Sequence, residues 1–205
     1  RAVTEDDFRA LAESVGGVAR AECLARFHPD YPDLETPFPG AVTVLVVPDA
    51  DVPAPPLTEE VRRAIARHLQ AHRLVGTEVF VRQPRYHLVR VTALVQARRD
   101  LAFGELELAV ARQLNVFLDP LGRDWDNDGP LRFKDDGVTP SPRSLAGKQN
   151  ERIGQDLHPS RFFAEILKVP GVTAVKQMLV EVDGRPLDLA SGEPFVVRRD
   201  ALCAP

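Results

Sequence analysis

The chain has 205 residues, of which 44% are apolar, and a formal net charge of -4. This composition is typical of a globular protein with one large core or two small ones. Lysine and arginine are not clustered, so the positive surface that binds nucleic acid is missing, and no apolar run approaches the ~20 residues of a membrane span. We therefore expect neither a nucleic-acid partner nor a membrane-spanning segment.

The chain begins with a predicted amphipathic helix. Thr4 and Asp7 have the spacing of a capping box, with Asp in place of Glu. The apolar residues that follow recur every three or four positions and predict one buried helix face: Phe8, Leu11, Ala12 and Val15. A strand is predicted next, over residues 18–27.

Two proline-rich connections flank the next strand. Residues 28–40 contain four prolines, which prevent regular strand pairing there. Residues 41–47, AVTVLVV, are apolar at every position but one, so this strand is predicted to be central in its sheet or covered on both faces. A second proline-rich connection follows at 49–56.

The first module is predicted to end with a helix and a strand. Thr58 is a predicted N-cap, and the inward-facing side chains of the helix are Val61, Ile65, Leu69 and His72. The strand covers residues 77–82, and Pro84 marks the boundary between modules.

The second module is predicted to open with an alternating strand, in which Val89, Val91, Ala93 and Val95 form the buried side. A helical stripe follows: Phe103, Leu106, Val110, Leu114 and Phe117. Residues 123–152 lose all periodicity and predict a polar loop insertion. A helix from Pro159, a strand over 172–182 with an Asp183-Gly184 turn, and a last strand over 195–197 complete the module.

A helix-Gly-Val-strand element occurs near both ends of the chain. Gly17 and Val18 align without a gap with Gly171 and Val172. The duplication favours two similar modules in tandem. We predict an α+β fold of two small modules, residues 1–84 and 85–205, each a mostly antiparallel sheet with about two helices packed on it.

The polar loop contains one motif with possible chemistry, DWDNDGPLRFKD. Its carboxylates and glycine have nearly the spacing of a calcium loop: Asp124, Asp126, Asp128, Gly129 and Asp135. The twelfth position is Asp rather than Glu, the ninth is Arg132, and no helix pattern follows. A polar surface loop and a Ca²⁺ site both remain open interpretations.

The residue types that are common in active sites do not occur at the spacings that catalytic or metal-binding motifs require. Cys23 and Cys203 lack metal or redox spacing, and the pair His68 and His72, one helical turn apart, has no carboxylate or cysteine partner at ligand spacing. Nucleophile-elbow, phosphate-loop and dinucleotide motifs are missing from the sequence. We predict no catalytic residue and no cofactor, and no bound metal apart from the open Ca²⁺ interpretation.

An ordered set of segments carries a family resemblance: TEDDFRALAESVGGVARA, AVTVLVVPDA, LTEEVRRAIARHLQAHRLVGTEVFVRQPRYHLVRVTALVQ, ARQLNVFLDPLG and IGQDLHPSRFFAEILKVPGV. In this order they resemble the C-terminal half of baseplate J-like proteins, which are baseplate wedge components of contractile phage tails and contractile injection systems. The family's Trp-Pro-Phe-Gly before the last helix is reduced here to Ile153-Gly154.

The resemblance implies a structural role without an active site, in a phage-like particle or in the bacterial cytoplasm before release. Its implied partners are other wedge subunits and further copies in a sixfold ring, with hub and sheath proteins as further candidates. Strands that are apolar on both faces would then be covered by neighbouring subunits. Candidate contact residues are Tyr31 and Phe38 in the first proline-rich connection, and Trp125, which either covers the acidic loop or anchors a partner.

A second interpretation is a small-molecule-binding regulatory domain. Position 1 is not Met, so we interpret the chain as the C-terminal portion of a longer polypeptide, and an enzyme could precede it. Such a domain would have a polar, glycine-lined pocket where the repeated elements meet. The matched junctions, residues 15–18 and 169–172, are apolar instead.

Overall fold

The structure, a computed structural model, describes residues 1–31, 37–50, 52, 54–98, 102–119, 121, 132–133, 140–141, 154, 156–191 and 193–204. The chain divides into two compact units, Arg1–Arg85 and Tyr86–Pro205. Each has its own sheet, helices and apolar core. The predicted α+β fold in two modules is confirmed. Among the described residues, no helix has the length and apolarity to cross a membrane.

The first unit is a three-stranded sheet with two helices. Its elements are α1 (Glu5–Glu13), β1 (Val18–Ala25), β2 (Ala41–Pro48), α2 (Glu59–His72) and β3 (Glu78–Arg82). The strand order is β1-β2-β3. β1 runs antiparallel to β2, whereas β3 runs parallel to it because α2 returns the chain to the starting end of the sheet.

The predicted capping box starts α1. The Asp7 amide donates to Thr4 Oγ1 over 3.2 Å, and the Thr4 amide donates to Asp7 Oδ2 over 2.8 Å. The Val3 amide donates to the same carboxylate oxygen over 2.9 Å. These bonds, from the Thr4 and Val3 backbone first, lower the pKa of Asp7. The predicted helix start is confirmed.

β2 is the central strand and is buried on both faces, as predicted. Val44 and Val46 belong to the core that α1 and α2 cover. On the opposite face Leu45 and Val47 are 1% and 0% exposed, and Thr43 Oγ1 donates to the Phe27 carbonyl over 2.8 Å. The chain itself covers both faces of β2. The expectation that neighbouring subunits must cover this strand is therefore wrong.

The second unit has a four-stranded sheet, two helices and a small ladder. Its elements are β4 (Arg85–Ala97), α3 (Phe103–Leu118), β5 (Arg132–Phe133), β6 (Pro140–Ser141), α4 (Pro159–Leu167), β7 (Val172–Val182), β8 (Arg185–Pro186) and β9 (Ala201–Ala204). The main sheet has the order β8-β7-β4-β9, and β5 pairs with β6 in a separate ladder. β4 and β7 are its two long strands and run antiparallel.

Both helices of the second unit belong to one core with one face of this sheet. Phe162 and Ile166 of α4 are fully buried, as is Val180 of β7. The rings of Phe162 and Phe117 meet edge to face, with centroids 5.5 Å apart. The helical stripe that the sequence predicted for α3 is buried from Leu106 to Phe117. Its first residue, Phe103, begins the helix and is 76% exposed, so the prediction was wrong there.

The repeated element is present in both units. α1 is followed by Gly17 and β1, and α4 is followed by Gly171 and β7. Both glycines have positive φ, +85° and +99°, a conformation in which an L side chain is strained. The sheets around the two elements nevertheless differ in strand number and order, so the likeness of the units is restricted to this element.

The last strand is not where the sequence predicted it. Phe195 forms an isolated bridge with Leu157 rather than a strand, and the Val197 amide donates to Asp156 Oδ1 over 3.0 Å. This side-chain bond replaces the ladder bond that a strand would need. The last strand is β9, whose Ala201 and Ala204 are fully buried.

Candidate protein-contact surfaces

Four aromatic rings meet in the first unit, and we name them the aromatic cluster: His28, Tyr31, Phe38 and Phe80. Ring centroids lie 4.6 Å apart for His28 and Phe80, 5.2 Å for His28 and Phe38, and 5.2 Å for His28 and Tyr31. Tyr31 and Phe38 are stacked, with centroids 5.6 Å apart. The structure thus brings together the two contact residues that the sequence suggested in the proline-rich connection.

Backbone hydrogen bonds hold this connection at its base. The Arg26 amide donates to the Ala41 carbonyl over 2.8 Å, and the Phe38 amide donates to the Arg26 carbonyl over 3.0 Å. Arg26 has a φ of +56°, so the chain turns sharply as it leaves β1. The Tyr31 amide donates to the His28 carbonyl over 3.1 Å. The rings are therefore placed by backbone bonds and not by their own stacking alone.

The cluster presents an exposed tyrosine at the β3 edge of the sheet. Tyr31 is 55% exposed. Beside it Arg82 lies 3.8 Å from Asp30 in a surface ion pair. A rigid aromatic ring with a polar hydroxyl and a charged rim is a common composition for a protein contact. The sequence identified neither His28 nor Phe80 as part of this surface.

Most of the motif DWDNDGPLRFKD lies outside the described residues, which include its Arg132 and Phe133 in β5. Trp125 lies outside them, as do the carboxylates of the calcium alternative: Asp124, Asp126, Asp128 and Asp135. In the part of the chain that is described, no three His, Cys, Asp or Glu side chains come together as metal ligands. Cys23 is buried in β1, and this burial raises the pKa of its thiol to about 12, so the thiol is an unreactive core group.

The second unit has a different exposed surface, which we name the open sheet face. It is the side of β4 and β7 that faces away from the helices, and it consists of Leu88, Arg90, Thr92, Leu94, Gln177, Leu179 and Glu181. Three of its apolar side chains are exposed in this chain: Leu88 by 60%, Leu94 by 58% and Leu179 by 44%. The alternating pattern in the sequence predicted a half-buried β4. That the three leucines lie on one face of the sheet follows only from the register between β4 and β7.

A histidine-carboxylate pair holds one end of this sheet. His87 Nδ1 lies 2.6 Å from Asp183 Oδ2, and the Leu88 amide donates to Asp183 Oδ1 over 2.9 Å. The Asp183 amide in turn donates to the Leu88 carbonyl over 2.9 Å. Asp183 and Gly184 both have positive φ, as a tight hairpin turn between β7 and β8 requires. Both carboxylate oxygens are therefore used to fix the turn against β4.

Asp183→Asn is expected to remove a pH-dependent contribution to stability. The hydrogen bond from His87, followed by that from the Leu88 backbone, lowers the pKa of Asp183. A carboxylate with a lowered pKa stabilises the fold above its unfolded pKa of about 3.9, and this contribution is lost as the pH falls through the folded value. The side chain is 50% exposed, so we expect a loss of only about 1 kcal/mol at pH 7.

Urea unfolding of wild type and Asp183→Asn at pH 7 and at pH 3 measures this difference. It should be present at pH 7 and shrink at pH 3. Glu193→Gln is the matched control, because Glu193 is exposed and its carboxylate has no hydrogen bond or ion pair within the described ranges. A difference that is equal at the two pH values would contradict the assigned role of the carboxylate.

Comparison with known proteins gives a structural likeness only. No protein-family model matches the sequence, and no curated protein matches it. Among solved structures, all of this chain (100%) matches part of a chain in the cryo-EM structure of the anti-feeding prophage baseplate, with a TM-score of 0.62 and 17% sequence identity. This chain covers 37% of the length of that chain. The two units of this protein therefore have a fold that is also found in a baseplate protein.

Proposed function

We propose that this chain is a structural baseplate component of a contractile tail or contractile injection system, and that it acts through protein contacts without catalysing a reaction. One observation carries the proposal: the likeness to the anti-feeding prophage baseplate chain extends over 100% of this chain, with a TM-score of 0.62. Both units and the connection between them are included in the match, whereas a single common α+β unit would cover only part of it.

In finer detail, we propose a place in the wedge of a baseplate J-like assembly. Wedge subunits and further copies of this chain, arranged in a sixfold ring around the hub, would be its partners, and the ring would support sheath attachment and contraction. This detail comes from the ordered segments that resemble the family. The chain would then be found in a phage-like particle, or in the bacterial cytoplasm before release.

The exposed apolar side chains support the proposal that this protein functions in contact with other proteins. Single exposed leucines are common on protein surfaces, but a group on one sheet face indicates an interaction site. The open sheet face has three such leucines. The aromatic cluster adds a second surface, on the other unit. A subunit within a ring needs at least two contact surfaces, since it has a neighbour on each side.

The junction at Gly17 does not support the regulatory-domain alternative. A Cβ added at Gly17 would contact the Val61 side chain at 3.5 Å, so this junction packs against an aliphatic residue. A polar pocket for a small molecule would need hydrogen-bonding groups at this place.

Affinity purification of the tagged full-length protein from particle-producing cells tests the proposal. Particles that have a baseplate and contain the tagged chain support the structural role. Recovery of the protein only as a free enzyme with a bound metabolite would support the regulatory-domain alternative and contradict the proposal.

Tyr31→Ala is expected to weaken incorporation into such particles while leaving the chain folded. Truncation of a central aromatic contact residue costs about 2 kcal/mol of binding, or roughly thirtyfold in affinity. The free chain should lose little stability, because Tyr31 is 55% exposed and exposed positions contribute within about 0.5 kcal/mol. The measurement is the amount of tagged variant in purified particles, together with its thermal unfolding.

Val75→Ala is the matched control for Tyr31→Ala. Val75 belongs to the same unit and is fully exposed, but it lies in the turn before β3 and outside the aromatic cluster. It should be incorporated like wild type. Equal incorporation of Tyr31→Ala and wild type would remove the aromatic cluster from the contact surfaces.

A further inference from the structure

Two histidines lie one turn apart at the end of α2 in the first unit, His68 and His72. Their rings are half-buried and tilted by 48°, with centroids 4.7 Å apart. Residues four apart lie on the same face of a helix, and this spacing lets two imidazoles bind one ion, as in helical zinc sites. Two nitrogens bound to one tetrahedral zinc ion at ~2.1 Å lie about 3.4 Å apart, a spacing within reach of rings this close.

A hydrogen bond to the backbone sets the tautomer of His72. Its Nδ1 lies 2.8 Å from the His68 carbonyl oxygen. Because a carbonyl only accepts, Nδ1 carries the proton, and the neutral ring keeps its lone pair on Nε2. A ring N–H that is held by a backbone carbonyl is the usual arrangement behind a metal-binding histidine. In its neutral form, His72 therefore offers Nε2 as a ligand.

The packing of α1 on α2 brings a third candidate ligand to this pair. Ser14, the C-cap of α1, has its Oγ 3.5 Å from His68 Nε2. The Ser14 hydroxyl donates its proton to the Leu11 carbonyl over 2.7 Å, so the lone pairs of its oxygen, and not its proton, are available to His68 or to an ion. The sequence alone did not indicate this ligand, because Ser14 and His68 are 54 residues apart.

The helix ends around the pair favour a positive charge. α1 ends beside Ser14 and α2 ends at His72, and the C-terminal end of a helix carries a partial negative charge. The cation that follows in the chain, Arg73, donates to Gln70 Oε1 and to the Thr77 carbonyl. Gln70 lies on another face of α2 than the two histidines. The guanidinium of Arg73 is therefore engaged by other groups.

We propose that His68, His72 and the Ser14 oxygen form a binding site for a divalent transition-metal ion of the zinc class. Imidazole nitrogen suits Zn²⁺, Ni²⁺ and Cu²⁺, whereas Ca²⁺ and Mg²⁺ prefer carboxylate and carbonyl oxygens. Three protein ligands leave one position of a tetrahedral ion for water. The ion would link the end of α1 to α2 and stabilise the first unit, since it binds the folded arrangement. This site goes beyond the proposed function and does not depend on it.

Isothermal titration of Zn²⁺ into the full-length chain, with any affinity tag removed, tests the site. Wild type should bind zinc, and its thermal unfolding temperature should rise with the zinc concentration. His68→Gln and His72→Gln should each weaken binding by about tenfold or more, because each removes one of the two nitrogen ligands. His158→Gln is the matched control, because His158 is an exposed histidine of the second unit. This control should bind zinc like wild type.

Ser14→Cys tests the geometry by a gain in affinity. A thiolate is a stronger zinc ligand than a hydroxyl, so this change should tighten zinc binding by about tenfold or more, a gain that a folding defect cannot produce. Three results would overturn the inference: no heat and no thermal shift up to about 1 mM Zn²⁺, binding that both glutamine variants retain in full, or a Ser14→Cys chain that binds zinc no tighter than wild type. A chain that enters baseplates but gives one of these results leaves the proposed function intact.

Discussion

Phe162→Ala is expected to lower the free energy of unfolding of the second unit by about 3–5 kcal/mol. The side chain is 0% exposed, and its ring meets that of Phe117 edge to face at 5.5 Å. Its removal takes away the burial of a large apolar surface and leaves a cavity between α4 and the sheet, which the surrounding side chains fill only in part.

Urea unfolding followed by circular dichroism measures this loss. Phe103→Ala is the matched control, because Phe103 is in the same unit and is 76% exposed. The control should lie within about 0.5 kcal/mol of wild type. A loss below about 1 kcal/mol for Phe162→Ala would contradict the placement of α4 in the core.

Gly154→Ala has the second-largest expected effect, a loss of about 2–4 kcal/mol in the same unit. Gly154 has a φ of +82°, and a Cβ there would lie 2.7 Å from the Cα of Arg199 and 3.1 Å from the Arg198 carbonyl oxygen. Both are backbone atoms and cannot rotate away. The Gly154 amide also donates to the Ala201 carbonyl over 2.9 Å, so the clash would move the segment that leads into β9.

Gly104→Ala is the control for this glycine. A Cβ at Gly104 meets no atom within 4 Å, and its φ is not in the left-handed region. Since alanine favours the helix more than glycine does, this change should be neutral or stabilise by up to about 1 kcal/mol. If both variants unfold at the same urea concentration as wild type, the close packing of Gly154 on residues 198–199 is incorrect.

The local signals in the sequence predicted most elements correctly. Thr4 and Asp7 predicted the start of α1, because a capping box needs only neighbouring residues. The periodic apolar residues of α3 predicted its buried face from Leu106 to Phe117 for the same reason, and Asp183 with Gly184 predicted the turn after β7. Each of these signals is complete within one or two turns of chain.

Features that depend on the pairing of strands far apart in the sequence could not be predicted from local patterns. Phe80 comes to His28 only because β3 pairs parallel to β2, so the sequence indicated Tyr31 and Phe38 without the rest of the aromatic cluster. β9 was missed because Ala201–Ala204 is short and has no β-branched residue, while Phe195 and Val197 have the side chains that are typical of a strand. The last strand, β9, is stabilised by the burial of small alanine side chains and not by β propensity.

The open sheet face illustrates the same limit for function. The sequence shows Arg90 and Glu181 as two charges in two strands, and many registers of β4 and β7 would separate them. A shift of one residue would also turn their side chains to the helix side. Only the observed register puts them at one level on the exposed face.

Cryo-EM of the particle purified with the tagged full-length chain tests the central claim most directly. The account predicts that this chain occupies a baseplate ring in repeated copies, with the aromatic cluster against a neighbouring subunit. Particles whose baseplate contains no copy of the chain, in cells where it remains a free protein, would contradict the account.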